Sequence, residues 1–209
     1  SCDSMQLYRG MDIGTAKATA GETEGIAHHL LDILDIHESF SVSEYVRAAE
    51  ACVTDLRQRG KTPIFCGGTG LYIDSFVSGL PFDDCDIKPG LREELFAFAE
   101  QNGAQALHAR FAALDPACAA AVAAQNVKRV VRALEICLST GEPMSVWQNK
   151  AKEAAKPRKA VYVGLTFADR SKLYERIDKR VDAMLDAGLL AETERLIRAG
   201  LRETPTAGQ

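Results

Sequence analysis

Between Ser41 and Gly60 the chain reads SVSEYVRAAEACVTDLRQRG, with apolar side chains at Val46, Ala49, Cys52, Val53 and Leu56. Steps of three and four place these on one stripe of a helix, with Ser41 or Ser43 as cap and Gly60 as stop. The pattern then changes. Thr62 to Cys66 is a short apolar run that ends in Gly67, Gly68 and Gly70 before helical spacing resumes, which predicts a strand, a tight glycine turn and a helix start. A second run, KAVYVGLTF at 159–167, is almost continuously apolar, as expected of a strand covered on both faces. The stretch after it, DRSKLYERIDKRVDAMLDAGLLAETERLIRAG, returns to a helical period. Helix, strand, helix and later strand, helix predict an α/β fold with a parallel sheet.

The middle of the chain has no strand pattern. From about Lys88 to Lys156 it is rich in Ala, Leu, Glu and Arg, with breaks at Gly103, Asp115-Pro116 and Gly141. This predicts an all-helical insertion domain at 87–156 between two parts of an α/β core, 1–86 and 157–209. The charged segment QNKAKEAAKPRKA before the returning strand is expected to be an exposed linker.

Composition narrows the function classes. With 209 residues and 46% hydrophobic content the chain can bury a core. A net charge of −4, from 25 basic and 29 acidic residues, leaves a polyanion partner to be decided by local basic stripes. Six cysteines (Cys2, Cys52, Cys66, Cys85, Cys118, Cys137) lie far apart without a C-x-x-C pair, which suits a reducing, cytoplasmic compartment. The longest apolar run is well short of the ~18 residues of a spanning helix, so no membrane association is expected.

Four groups of residues could carry chemistry. Asp3, flanked by Ser4 and followed by Gln6, Tyr8 and Arg9, could hold a substrate amine and accept its proton; the alternative is an N-cap aspartate. Gly68-Thr69-Gly70 closes a predicted strand, where open α/β sheets bind ligands, and is equally readable as a simple turn. In NVKRVVRALE, Arg129 and Arg132 share one helical face beside Lys128, which suits phosphate contacts or a solvated surface. Arg176 and Arg180, four apart, could fork a diphosphate or pair with Glu175, Asp178 or Asp182. His28 and His29 lack further ligands at metal spacing, so no structural zinc is expected, and packing or hydrogen bonding is their expected role.

Taken in order, DSMQLYRGMDIGTAK, HHLLDI, FCGGTGLYIDSFVSGL, NVKRVVRALEI and YERIDKRVDAML resemble the tRNA dimethylallyltransferase (tRNA isopentenyltransferase) family over nearly the whole chain. The resemblance implies a P-loop NTPase-like parallel sheet core with an all-helical insertion. It also implies transfer of a dimethylallyl group from dimethylallyl diphosphate to N6 of adenosine 37, beside the anticodon of tRNA, with Mg2+ on the diphosphate. Asp3 then matches the general base, with Arg180 the second catalytic residue and binder of the diphosphate, and Arg176 its neighbour. Asp3, Ser4, Met5, Gln6, Thr69, Arg92, Lys128, Arg129, Val130, Val131, Arg132 and Gln209 fall on tRNA-contacting positions. A stacked anticodon base is out of reach of such a pocket, so the adenine is expected to be extruded. The resemblance implies a cytoplasmic monomer.

The chain departs from the family pattern in three places. The glycine-rich phosphate loop ending in Gly-Lys-Thr or Gly-Lys-Ser is expected upstream of Ser1, and an Ile-Gly-Tyr stretch is expected beyond TPTAGQ. The Pro-Asn-Asp before the basic helix reads Ala124-Gln125-Asn126, without the aspartate. Two other readings stand beside tRNA prenylation: prenylation of a free adenine nucleotide, against which the basic insert argues, and an inactive RNA-binding fragment.

Overall fold

The first predicted helix forms where its cap places it. In the computed structural model of the chain, which describes residues 1–81, 87–204 and 206–208, α1 spans Val42–Gln58 and starts from Ser41. The Ser41 hydroxyl accepts the Glu44 N–H and the Glu44 carboxylate accepts the Ser41 N–H, a reciprocal pairing of donors that a helix start leaves unsatisfied. Its buried stripe, Tyr45, Val46, Ala49 and Val53, packs on α2 (Gly70–Ser78), where Tyr45 stacks on Tyr72 with ring centroids 4.0 Å apart.

The chain divides into two compact units, residues 1–78 with 158–209 and residues 79–157. The second unit is helical: α3 (Leu91–Asn102), α4 (Ala104–Leu114), α5 (Pro116–Ala119), α6 (Val127–Thr140) and α7 (Met144–Ala154). Gly103, Asp115 and Gly141 fall between these helices and Pro116 opens α5, so the breaks lie where the pattern predicted them. Leu95, Leu107, Phe111, Val130 and Leu134 are fully buried and make its core. Asp115 sits under the turn after α4 and accepts the N–H groups of Cys118 (3.0 Å) and Ser145 (2.7 Å). Burial opposes its charge, but these bonds win and hold its carboxyl below the ordinary range. The expected linker is instead helix α7 over most of its length. No residue of α7 is buried, so the helix propensity of Ala, Lys, Gln and Glu prevails where no apolar stripe announced it.

In the first unit the chain continues as α8 (Arg170–Asp186), α9 (Leu189–Arg198) and a 3-10 turn at Leu201–Glu203. The two predicted strands differ from expectation. Neither 62–66 nor 159–167 forms a β-ladder, and among the described residues the one β-bridge is a parallel contact of Tyr8 with Leu34. Strands are held by neighbours, not by their own sequence, and these runs are not covered: Ile64 is 86% exposed and Leu165 96%. On α8 the residues Tyr174, Ile177, Val181 and Leu185 form a further exposed apolar stripe, and no residue of that helix is buried. No helix among the described residues is long and apolar enough to cross a membrane.

Candidate active site

Asp3 lies half-buried in a turn whose backbone is clasped by the glycine bend. Cys2 N–H donates to Cys66 O (2.9 Å) and Thr69 N–H donates back to Cys2 O (3.0 Å), so the two segments bond on either side of Cys2. The Thr69 hydroxyl accepts the Ser4 N–H (2.9 Å) and lies 3.3 Å from the Ser4 hydroxyl. Gly67, at φ 153°, packs directly on the Cys2–Asp3 peptide: a Cβ there would stand 2.5 Å from Cys2 C and 2.8 Å from Asp3 N. Only glycine fits that approach. The Asp3 side chain itself is oriented by its own turn, Oδ1 accepting the N–H groups of Met5 (2.9 Å) and Gln6 (3.4 Å). Asp3 thus caps a turn and not a helix, and among the described residues Oδ2 accepts no hydrogen bond. Behind the turn, burial pushes the Tyr72 phenol up to about 12 and Tyr45 higher still, so both stay neutral, and Tyr45 donates to Ser1 O (3.1 Å).

Asp3 opens onto a cavity of about 460 Å³ that is also lined by Met5, Met11, Gly14, Arg180 and Glu192. The far wall is built by Glu192 on α9. Its Oε2 accepts the N–H groups of Asp12 (3.0 Å) and Ile13 (2.9 Å) and its Oε1 that of Gly14 (3.0 Å), so one buried carboxylate gathers three successive amides. Lys17 fixes the other end of this loop: its side chain is 5% exposed and its Nζ donates to Tyr8 O, Asp12 and Asp32. Arg180 and Arg176 are exposed on α8, and neither forms an ion pair with Glu175, Asp178 or Asp182 among the described residues. Of the two, Arg180 reaches the cavity and Arg176 does not line it.

The helical unit carries its own charged face. Lys128, Arg129 and Arg132 are exposed on α6, while Val130 and Val131 are 0% and 1% exposed in the core. Val130 and Val131, expected among the RNA-contacting positions, have their side chains in the core, where they hold the helix in place. The helix start keeps its cap without the family's aspartate, because the Asn126 side chain accepts the Arg129 N–H (3.2 Å). Arg92 on α3 forks onto Glu135, Nε to Oε1 at 2.7 Å and Nη2 to Oε2 at 2.8 Å, and Arg132 lies 3.5 Å from the same carboxylate. Burial pushes Glu135 up, but its arginines outweigh that and hold it below the ordinary range.

Ser4 and Met5 thus lie beside Asp3 in its own turn, and the Thr69 hydroxyl is brought to them from 65 positions away. The Gln6 amide is engaged internally, donating to Thr15 O (3.0 Å) and accepting from the Ser1 hydroxyl (3.1 Å). Gln209 lies outside the described residues. Sequence reasoning passed over Gly67, Glu135 and Glu192: the first stood in view within a glycine run, whereas the two acids look like ordinary surface charges of amphipathic helices. Among the described residues no three His, Cys, Asp or Glu side chains gather as a metal cage. Both oxygens of Glu192 are committed to N–H groups, which leaves Asp3 Oδ2 as the one uncommitted carboxylate oxygen on the described lining of the cavity, too few for a protein-held magnesium.

An acid and an arginine line one cavity of the first unit, and the helical unit bears a cationic face of its own. The IPP transferase family model matches residues 6–209, and the chain belongs to that family. It is 45% identical over 203 residues to the tRNA dimethylallyltransferase of Bacillus pumilus, covering 97% of this chain and 63% of that protein. The identity with the Bacillus subtilis tRNA dimethylallyltransferase is 46% over 203 residues, with 97% and 64% covered. Among solved structures it is similar to the full-length tRNA isopentenylpyrophosphate transferase of Bacillus halodurans, with a TM-score of 0.62, 42% identity, and 99% of this chain and 63% of that one covered. It is also similar to a eukaryotic dimethylallyltransferase acting on tRNA, with a TM-score of 0.78, 28% identity, and 95% and 48% covered. The chain spans about 63% of the length of the curated relatives it matches.

Proposed function

We propose that the intact protein transfers a dimethylallyl group from dimethylallyl diphosphate to N6 of adenosine 37 in tRNA. The observation that carries this is the Asp3 carboxylate, oriented through Oδ1 with Oδ2 uncommitted, on a cavity shared with Arg180. An exocyclic adenine amine is a weak nucleophile because its lone pair is delocalised into the ring. As its nitrogen bonds to the allyl carbon, Asp3 Oδ2 accepts the N6 proton. The C–O bond to diphosphate breaks in the same passage, the electron pair leaves with the phosphate oxygen, and Arg180 meets the growing charge. No side chain of this chain is assigned to hold magnesium; an ion carried in with the diphosphate would add charge neutralisation to that of Arg180.

The exposed Lys128, Arg129 and Arg132, with Arg92 held beside them, form the RNA-binding face of the helical unit. That unit is the insertion domain of an α/β core in which 62–66 and 159–167 are strands of a P-loop NTPase-like parallel sheet. The apolar runs and the similarity to solved tRNA isopentenylpyrophosphate transferases support this sheet. The protein works as a cytoplasmic monomer. The test is an assay of the intact protein with labelled dimethylallyl diphosphate and, as acceptors, an anticodon stem-loop or free AMP. Label passing to the stem-loop is expected; transfer to AMP at a higher rate, or RNA binding with no transfer, overturns the reading.

A further inference from the structure

The resemblance places Thr69 among residues that touch tRNA, yet its hydroxyl is already in use. It accepts the Ser4 N–H at 2.9 Å, its amide holds Cys2 O at 3.0 Å, and Gly67 presses on the peptide between Cys2 and Asp3. Residues 2, 3 and 4 are thus gripped in sequence by one bend, with Asp3 in the middle. We infer that Thr69 is a positioning residue for Asp3: its hydroxyl fixes the backbone on the C-terminal side of the acid, and so the direction in which Oδ2 meets the amine. This rests on the reading of Asp3 as base. A hydroxyl has one proton and two lone pairs, and the Ser4 N–H takes up one lone pair of Thr69 while the Ser4 hydroxyl stands within reach of its proton. Without that anchor the turn keeps its Asx bonds to Met5 and Gln6 but loses its fixed place relative to the cavity.

The separating comparison is Thr69→Val, which keeps the shape and removes the hydroxyl, against Thr69→Ser, which keeps the hydroxyl and removes the methyl. In the intact protein, Thr69→Val is expected to lower kcat by about 10²-fold, the scale of a misplacement near 1 Å, while KM for the stem-loop stays near its original value. Thr69→Ser is expected to recover most of that kcat. In an Asp3→Ala background, Thr69→Val is expected to lower kcat little further, because two residues acting through one step do not add. A raised KM with kcat intact makes the hydroxyl a substrate contact and overturns the inference. Equal impairment of the Ser and Val variants, full additivity with Asp3→Ala, or no effect of Thr69→Val also overturns it. Melting temperatures of the variants register any loss of folding, which the Asp3→Ala background then separates from positioning, since a folding defect adds in full. If Asp3→Ala alone leaves turnover unchanged, the reading of the base has failed instead.

Discussion

Glu135 is 1% exposed, yet both of its arginine partners, Arg92 and Arg132, reach solvent with about half of their side-chain surface. Such a pair is worth less than a fully enclosed one, because either arginine can turn to water when the acid is lost. Glu135→Gln is therefore expected to cost about 1–2 kcal/mol, measured by denaturant unfolding at neutral pH. The sign with pH follows from the lowered carboxyl. Its stabilisation is complete above the unfolded value of about 4.3 and fades as pH falls through the lower folded value. The native chain should lose stability across that acid window, and the Gln variant should lose less. A variant with the same acid slope as the native chain would contradict the assignment. Asp3 was legible as a candidate because it stands among polar neighbours, Ser4, Gln6, Tyr8 and Arg9. Glu192 was not, since its three amide partners at 12–14 lie about 180 positions away and leave no trace in local spacing. Glu192→Ala frees those three donors inside the cavity wall. It should lower the melting temperature and weaken dimethylallyl diphosphate binding together, which thermal melts with and without that ligand will show.

At the scale of elements, helices could be read from the chain because their determinants are local. Ser41 with Glu44, Asn126, and the breaks at Gly103 and Gly141 each act within a few residues. The end of helix α7 was taken for linker because it has no buried stripe to betray it, and the two apolar runs form no ladder here because a ladder partner is never written in the strand itself. The charged face of α6 was visible as spacing, but only burial separates its two kinds of residue: Val130 and Val131 inside, Lys128 and Arg129 outside. Lys128→Ala and Arg129→Ala are each expected to weaken stem-loop binding and to reduce the slope of log K against log salt by about 0.7–0.9, as for one phosphate contact each. Slopes unchanged from the parent protein would make this a solvated face without RNA.

Across the whole molecule, apolar side chains at Ile64, Val161, Val163 and Leu165 and on the outer stripe of α8 stand in solvent, more than scattered surface residues explain. The 209-residue chain on its own is expected to bind 1-anilinonaphthalene-8-sulfonate under native conditions with a strong rise in fluorescence. A fluorescence no higher than that of a well-covered globular protein would mean that these runs are packed. In the proposed reaction Asp3 receives the proton of the adenine amine. The turnover of Asp3→Ala in the intact protein tests that claim most directly, with stem-loop binding measured beside it. A fall in kcat of about 10²–10⁴-fold with binding nearly unchanged is the predicted result. A rate close to that of the unaltered protein would contradict it.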